Sequence, residues 1–367
     1  MQPLKGQPLL QLQEQLRHVE YILIDEMSFI GPKMLSRIDD RLREAFPLHR
    51  NTPFGNRSII LIGDLGQLPP VKDIPLYAGT SRGTALWRSF DIFITLSTVF
   101  RQQGASLSQV PFRQILANLR NGISTLEDWQ HLMSRTSSSL TPEEKCSFSE
   151  SMHLFATNNA VVLHNKKMLK KLNIPVALCS AEQQRQKTPT TTEDEHLPAK
   201  VLLCNEQKVM LTSNLWVHAG LVNGALGKVI SIFYSIDSKP PALPSFVVVD
   251  FQQYRGTPWD ISHPTYVPIP PITRGARRQI PLQMAWALTI HKSQRMALDK
   301  ATMDIGTRER QGLTFTAISR VRSLSDIHIN PAFPFSRIAQ MHKNPYLKCR
   351  QQEESFLASK SIQDNTL

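Results

Sequence analysis

Short apolar runs alternate with amphipathic stretches along the first third of the chain. Tyr21-Ile22-Leu23-Ile24 is four apolar residues in a row, the texture of a strand buried on both faces of a parallel sheet. Met34, Leu35, Ile38, Leu42 and Ala45 then recur at helical spacing until Pro47 stops the pattern. Residues 58–62 (SIILI) predict a second buried strand and residues 90–99 (FDIFITLSTV) a third. Residues 112–133 carry another helical stripe, interrupted at Asn121-Gly122. Strands alternating with helices predict an α/β fold with a parallel sheet.

The texture then changes twice. Residues 136–146 (TSSSLTPEEKC) read as a linker, residues 153–159 (HLFATNN) as a strand entering a polar turn, and residues 166–172 as a basic helix. Residues 180–200 are polar and read as a loop. Between residues 208 and 251, KVMLTSNLWV, GKVISIFYSI and SFVVVDF are strand-like and separated by Gly or Pro turns, which predicts a small inserted β barrel. The Pro-rich residues 256–273 are expected to lack regular structure. The α/β pattern returns from Ile280, with a strand at 301–305, a helix at 313–321 and a strand at 326–329. The tail beyond Arg350 is polar and expected to fray.

Composition narrows the partner. The chain has 367 residues, 41% of them hydrophobic, and 42 Lys and Arg against 30 Asp and Glu give a net charge of +12. Such a balance suits a polyanion, nucleic acid first. Cys146, Cys179, Cys204 and Cys349 form no CxxC pair, so neither a zinc site nor a disulfide framework is expected. No apolar run approaches the roughly 20 residues of a membrane span. No secretory signal or transit character marks the first twenty residues, and an intracellular protein without membrane attachment is expected.

The chemistry concentrates at strand ends. Asp25-Glu26 follows the YILI run, where one carboxylate can hold a divalent cation through water and its neighbour can take a proton from an attacking water. The competing reading is an acidic helix cap. Residues 58–71 end a second strand with Gly63-Asp64 and then Gln67, an amide able to sense a phosphate. Arg101, in LSTVFRQ, follows the third expected strand, and a guanidinium there pairs phosphate bidentately. His291, Lys292, Ser293 and Gln294 are clustered donors suited to a nucleic-acid backbone. Arg320 and Arg322 lie beside Ser319 between apolar strips. Each element alone has a bland structural reading; their order is what carries weight.

That order, DEMS, GDLGQLPPV, FRQ, LVNGALG, TIHKSQ and TAISRVRS, resembles the petite-integration-frequency (Pif) family of superfamily-1 helicases over residues 19–330. The resemblance implies ATP-dependent 5′-to-3′ unwinding, with single-stranded or forked DNA as partner and ATP with Mg²⁺ as cofactors. It implies two RecA-like P-loop NTPase domains, the first incomplete, with an inserted SH3-like β barrel. Residues 1–146 would be the partial first domain, 147–207 and 276–335 the second, 208–275 the barrel and 336–367 a polar tail. Asp25 corresponds to the magnesium-binding aspartate, Glu26 to the catalytic base and Gln67 to the γ-phosphate sensor. Arg101 and Arg320 correspond to the two arginines at the γ-phosphate. His291 and Ser293 match the motif facing single-stranded DNA, with Lys292 between them, and Asn223 lies in the barrel motif. A nuclear location is expected, with the mitochondrion as alternative.

Two departures stand out. Only 24 residues precede Asp25, and no GxxxxGK[ST] phosphate cradle lies among them; the one early Lys-Gly, Lys5-Gly6, has no helix signature after it. The chain therefore reads as the C-terminal portion of a helicase whose ATP binding is severely weakened. A non-catalytic single-strand-binding fragment, or a transposon-derived relic, is the alternative. Second, Arg295 stands where the family usually has glycine after HKSQ. If that backbone needs a positive φ, an arginine costs about 1 kcal/mol there, and it would crowd the DNA path.

Overall fold

Tyr21–Ile24 and Ser58–Leu61 pair in parallel, with Tyr21 opposite Ser58 and Ile24 opposite Leu61. They do so in a computed structural model that describes residues 3–96, 98–102, 109–183 and 197–360. The chain forms two compact units, Met1–Phe148 with Gln294–Leu367, and Ser149–Ser293. Both mix helices and strands, so the α/β class expected from the pattern is observed.

In the first unit the strand pair is covered on one face only. Ile22, Ile24, Ile59 and Leu61 pack on a core of Leu35, Leu42, Phe54, Leu86 and Trp87, supplied by the helices Pro32–Ala45 and Arg82–Arg88. On the other face Tyr21 and Leu23 are each 63% exposed and Ile60 is 43% exposed. The expectation of strands buried on both faces is thus corrected: apolar residues occupy both faces, but the described residues place a layer on one. The third expected strand does not form either. Residues 90–96 and 98–99 carry no strand, and Ile92, Ile94 and Leu96 are exposed.

The helical stripe is two helices, Gln109–Asn121 and Leu126–Met133, parted at the predicted Asn121-Gly122, where Gly122 takes a φ of 69°. The expected linker holds a helix, Pro142–Ser147, started by a reciprocal pair of cap bonds between Thr141 and Glu144. A helix Gln7–Leu16 also follows Lys5-Gly6, against expectation, with Gly6 before its first turn. Past the second unit, Ala301–Asp304 pairs in parallel with Ile327–Ile329, and the helix Leu313–Ile318 lies between them in sequence.

The C-terminal segment is a helix, Pro345–Lys360, rather than a frayed tail. Leu347 is buried and Leu357 packs on the core of Leu35 and Trp87, and polar anchors add to them: the Trp87 indole donates to Glu353 Oε1 at 2.7 Å, and Arg350, 1% exposed, donates to the Arg120 carbonyl at 2.6 Å. Apolar periodicity gives no warning of a helix held this way.

The second unit carries a parallel pair, Met152–Phe155 with Ala287–Thr289, and the helix Asn158–Lys171. Beside these lies a five-stranded antiparallel sheet in the order Tyr266–Ile269, Phe246–Asp250, Leu226–Phe233, Lys208–Leu211, Leu282–Met284. The three strand-like runs between 208 and 251 are its centre. The Pro-rich stretch contributes Tyr266–Ile269 and Ile272–Arg274, which corrects the expectation of irregular structure. Pro268 is tolerated because its strand lies at the sheet edge, where a missing N–H breaks no central ladder. Most of the expected polar loop, residues 184–196, lies outside the described residues.

Candidate active site

Asp25 and Glu26 leave the end of the Tyr21–Ile24 strand through a sharp reversal. Glu26 adopts the left-handed conformation, φ 57° and ψ 48°, ahead of the short 3-10 turn Met27–Phe29. A non-glycine residue there stores on the order of 1 kcal/mol of strain. The Met27 N–H donates to the Ile62 carbonyl at 2.9 Å, tying this turn to the end of the neighbouring strand. Gly63 makes room for it, since a Cβ at Gly63 would lie 2.8 Å from the Met27 nitrogen. The Glu26 side chain makes no cap bond, so the helix-cap reading does not account for it. The two carboxylates differ in setting. The Asp25 side chain is 58% exposed, whereas that of Glu26 is 14% exposed. Burial, then the Asp25 charge, pushes the Glu26 carboxyl above its ordinary value, while Arg295 and Arg320 oppose the shift.

Two arginines close on Glu26, and backbone carbonyls hold them together. Arg101 donates to the Ser319 carbonyl at 2.9 Å, and Gln102 donates to the Val321 carbonyl at 2.9 Å. The FRQ motif is therefore stitched to the segment that carries Arg320. Arg320 is 3% exposed; its Nε donates to the Thr316 carbonyl at 2.9 Å and its Nη2 to Ser319 Oγ at 2.8 Å. Desolvation, with the nearby Arg101 charge, pulls its pKa down to about 10. Desolvation also lowers that of Arg101, against the pull of Glu26. No carboxylate is hydrogen-bonded to either guanidinium among the described residues, so the pair is a cationic recess short of an anion.

Gln67 joins the same recess. Its Oε1 accepts from Gln294 Nε2 at 2.8 Å. The start of the Leu313–Ile318 helix lies directly on it, for Gly312 has a φ of 73° and a Cβ there would be 2.6 Å from the Gln67 carbonyl carbon and oxygen. Only glycine permits that approach. Asp64, three residues earlier, is held by Arg120 at 2.6 Å, and Arg120 also reaches Glu354 on the C-terminal helix. Burial works against the Arg120 charge, yet these two carboxylates raise its pKa. Arg295 completes the surround. Its backbone φ is 69°, the positive value the glycine comparison anticipated, and its guanidinium lies 3.7 Å from Asp25 and 3.7 Å from Glu26.

The expected nucleic-acid residues are in the second unit and are less concentrated. His291, Lys292 and Ser293 form a 3-10 turn after the Ala287–Thr289 strand. Ser293 is fully buried and its hydroxyl donates to the Ile290 carbonyl at 2.8 Å, so it shapes the turn. Lys292 reaches Gln283 Oε1 at 3.2 Å on the rim of a groove of about 620 Å³ that Lys200, Thr212, Asn223 and Gly224 also line. Asn223 is exposed there, with its backbone N–H donating to Asn214 Oδ1 at 2.7 Å.

A family model for PIF1-like helicases matches residues 5–129. The chain is 28% identical over 315 residues to the ATP-dependent DNA helicase PIF1 of Rattus norvegicus, covering 84% of this chain and 46% of the relative. The Pif1 helicase of Candida albicans matches the fold with a TM-score of 0.72 at 25% identity, over 94% of this chain and 78% of that one. The chain is similar to PIF1-like helicases in sequence and in fold. A Pif1 helicase from Bacteroides, solved with ADP-AlF3 and ssDNA, shares the fold of this Pif1-like chain, with a TM-score of 0.67 at 20% identity over 98% and 79% of the two chains. The ATP-dependent DNA helicase PIF1 of Danio rerio is 27% identical over 356 residues, 95% of this chain and 52% of the relative. The chain spans about half the length of these curated relatives.

Sequence reasoning missed part of what surrounds this site. Arg120 and Glu354 are 234 positions apart and share no motif, so no spacing could pair them. Gln294 was legible as a donor, but its bond to Gln67 was not. Arg295 was visible as a backbone problem; its position beside the acidic pair was not.

Proposed function

We propose that this chain carries the hydrolytic half of an ATP-dependent DNA helicase site. The supporting observation is the convergence of Asp25, Glu26, Gln67, Arg101 and Arg320 within one unit, with two desolvated guanidiniums facing a half-buried carboxylate. The donor set fits a metal-bound nucleoside triphosphate. The exposed Asp25 carboxylate suits a hydrated magnesium ion, and Arg101 and Arg320 suit a terminal phosphate. When bound, the nucleotide would supply the phosphoanhydride bond to be broken, and magnesium would offset the negative charge that the leaving diphosphate gains. Glu26, whose proton affinity is raised by burial, is the base that orients and deprotonates water. Gln67, tied to Gln294, reports whether the terminal phosphate is present. We further propose two RecA-like domains, residues 1–146 as an incomplete first and residues 147–207 with 276–335 as the second, with the antiparallel sheet as the SH3-like insertion and 5′-to-3′ movement along single-stranded or forked DNA.

The 367-residue sequence holds no GxxxxGK[ST] motif, and that sets the form of the test. Fluorescent ATP analogue binding with magnesium is expected to be weak and to fall further in Asp25→Asn and Arg320→Ala. No DNA-stimulated turnover is expected. Binding indifferent to both substitutions would sink the site assignment. Turnover abolished by Glu26→Gln would instead overturn the claim that the chain alone is inactive.

The groove with Lys200, Lys292 and Asn223 favours a second reading, single-strand binding without catalysis. Salt-sensitive binding of single-stranded DNA that is unchanged by nucleotide supports it.

A further inference from the structure

Arg295 holds a costly backbone conformation at a site already rich in arginine. Its φ of 69° is one that side chains other than glycine rarely adopt, and its side chain is 60% exposed. It gains no close hydrogen bond from the acidic pair. Its Nη2 is 3.7 Å from Asp25 Oδ2 and its Nε is 3.7 Å from Glu26 Oε1, loose ion-pair distances rather than hydrogen bonds. One guanidinium thus stands over both carboxylates, with its donors still available. Asp25 and Glu26 are adjacent, and Asp64 adds a third negative charge near Glu26. Arg101 and Arg320 are turned to carbonyls and a hydroxyl of the 316–320 segment, which leaves Arg295 as the cation that bridges the pair.

We propose that Arg295 is the resident cation of Asp25 and Glu26 and sets the site's preference for a metal–polyphosphate complex over a free divalent metal. The inference rests on the nucleotide-site reading above. A bare divalent ion approaching the pair must expel the guanidinium and offers it nothing in return. A metal bound to a polyphosphate brings a cation for the carboxylates and phosphate oxygens for the displaced guanidinium, which takes them bidentately. Arg295 therefore weakens the first ligand and leaves the second nearly unaffected.

The test uses manganese as the probe, by calorimetry or electron paramagnetic resonance on the full chain, with Arg295→Gln, Arg295→Lys and Asp25→Asn. Arg295→Gln keeps a side chain on the strained backbone but removes the charge. Exposed ion pairs are worth up to about 1 kcal/mol, a factor of about five, so free manganese is expected to bind roughly three- to fivefold tighter to Arg295→Gln. Arg295→Lys is expected to stay within about twofold of the unsubstituted chain, since a point charge remains. Manganese with a fluorescent ATP analogue is expected to bind Arg295→Gln no tighter than the unsubstituted chain. Equal free-manganese affinity in the unsubstituted and Arg295→Gln chains overturns the proposal, undetectable binding in both included. The Asp25→Asn arm separates the two failures. If Asp25→Asn reduces manganese binding while Arg295→Gln changes nothing, the site stands and the role of Arg295 falls. If Asp25→Asn changes nothing either, the nucleotide-site reading itself fails.

Discussion

The charged recess of the first unit and the groove of the second are both polar, yet they are built on opposite plans. In the recess, the Arg101 and Arg320 guanidiniums are desolvated and held by backbone carbonyls, Arg101 by Ser319 and Arg320 by Thr316. In the groove, Lys200 and Lys292 border an open space, Lys200 exposed and Lys292 with its pKa lowered by partial desolvation of its ammonium. Preorganised charge in a water-poor pocket acts through geometry, so a conservative change there is expected to be severe. Exposed charge along a groove acts through its sum, so single changes there are expected to be mild and salt-dependent.

The largest expected effect lies behind the recess. Arg337, with a side chain 1% exposed, pairs with Glu309 at 2.5 Å and also donates to Thr314 Oγ1 and to the Gly306 and Ile305 carbonyls. That network fixes the start of the helix Leu313–Ile318, on which the placing of Arg320 depends. Arg337→Ala leaves Glu309 buried without its partner, and a loss of about 3–5 kcal/mol in urea unfolding is expected. A loss under about 1 kcal/mol would show that this helix is held by its apolar face instead.

Arg320 sharpens the contrast, because its worth to folding and to function should part. It is buried without a hydrogen-bonded carboxylate, and the neighbouring Arg101 makes its charge less welcome still. Arg320→Met keeps the volume and removes the charge. Stability is expected to be unchanged or higher by about 1 kcal/mol, while affinity for a fluorescent ATP analogue falls roughly 10- to 100-fold. A destabilised Arg320→Met chain with undiminished nucleotide affinity would make Arg320 a structural residue.

How much of this was legible in the sequence depends on what holds each part together. The strands Tyr21–Ile24 and Ser58–Leu61 and the helix Pro32–Ala45 could be read from periodicity, because burial of apolar side chains defines them. Asp25, Glu26, Gln67, Arg101 and Arg320 stand out by motif order, and all five fall in one unit. The C-terminal helix could not be read, since Trp87–Glu353 and Arg350–Arg120 help hold it and neither leaves a periodic mark. Residues 90–99 misled in the opposite direction: an apolar run predicts a strand only where a neighbouring strand offers its free edge. Arg295 was half legible. Motif comparison exposed the positive φ, but only coordinates show which carboxylates its side chain meets.

In the groove the expected effects are smaller. Lys200→Ala and Lys292→Ala are each expected to weaken single-stranded DNA binding a few-fold and to lower the log–log salt slope by about 0.7, leaving nucleotide affinity alone. Fluorescence anisotropy titrations between low and moderate salt measure both quantities. An unchanged slope in the double variant would remove the groove from the DNA path. It would leave the turn His291–Ser293, whose Ser293 is already committed to Ile290, with little left to offer a phosphate.

The smallest effect compares the units by acid. Each holds a histidine whose pKa is lowered, first by burial and then by nearby cations: His328 with Arg135 and Lys145, and His164 with Lys167 and Lys171. His328 exchanges a bond with Ser137 Oγ at 2.8 Å, whereas His164 lies 4.1 Å from the His153 ring and its buried Nε2 has no partner among the described residues. Both rings take up a proton less readily when folded than when unfolded. Their contribution is therefore complete above the ordinary histidine value near 6.5 and is lost as pH falls through the lowered folded values. The urea midpoint is expected to drop between about pH 7 and pH 5, and His164→Gln with His328→Gln together is expected to flatten that limb. The order of the single variants tests the accounting of partners. His164, with its orphaned nitrogen, should lose the least when replaced at pH 7, because a neutral ring that makes no bond there forfeits only its packing.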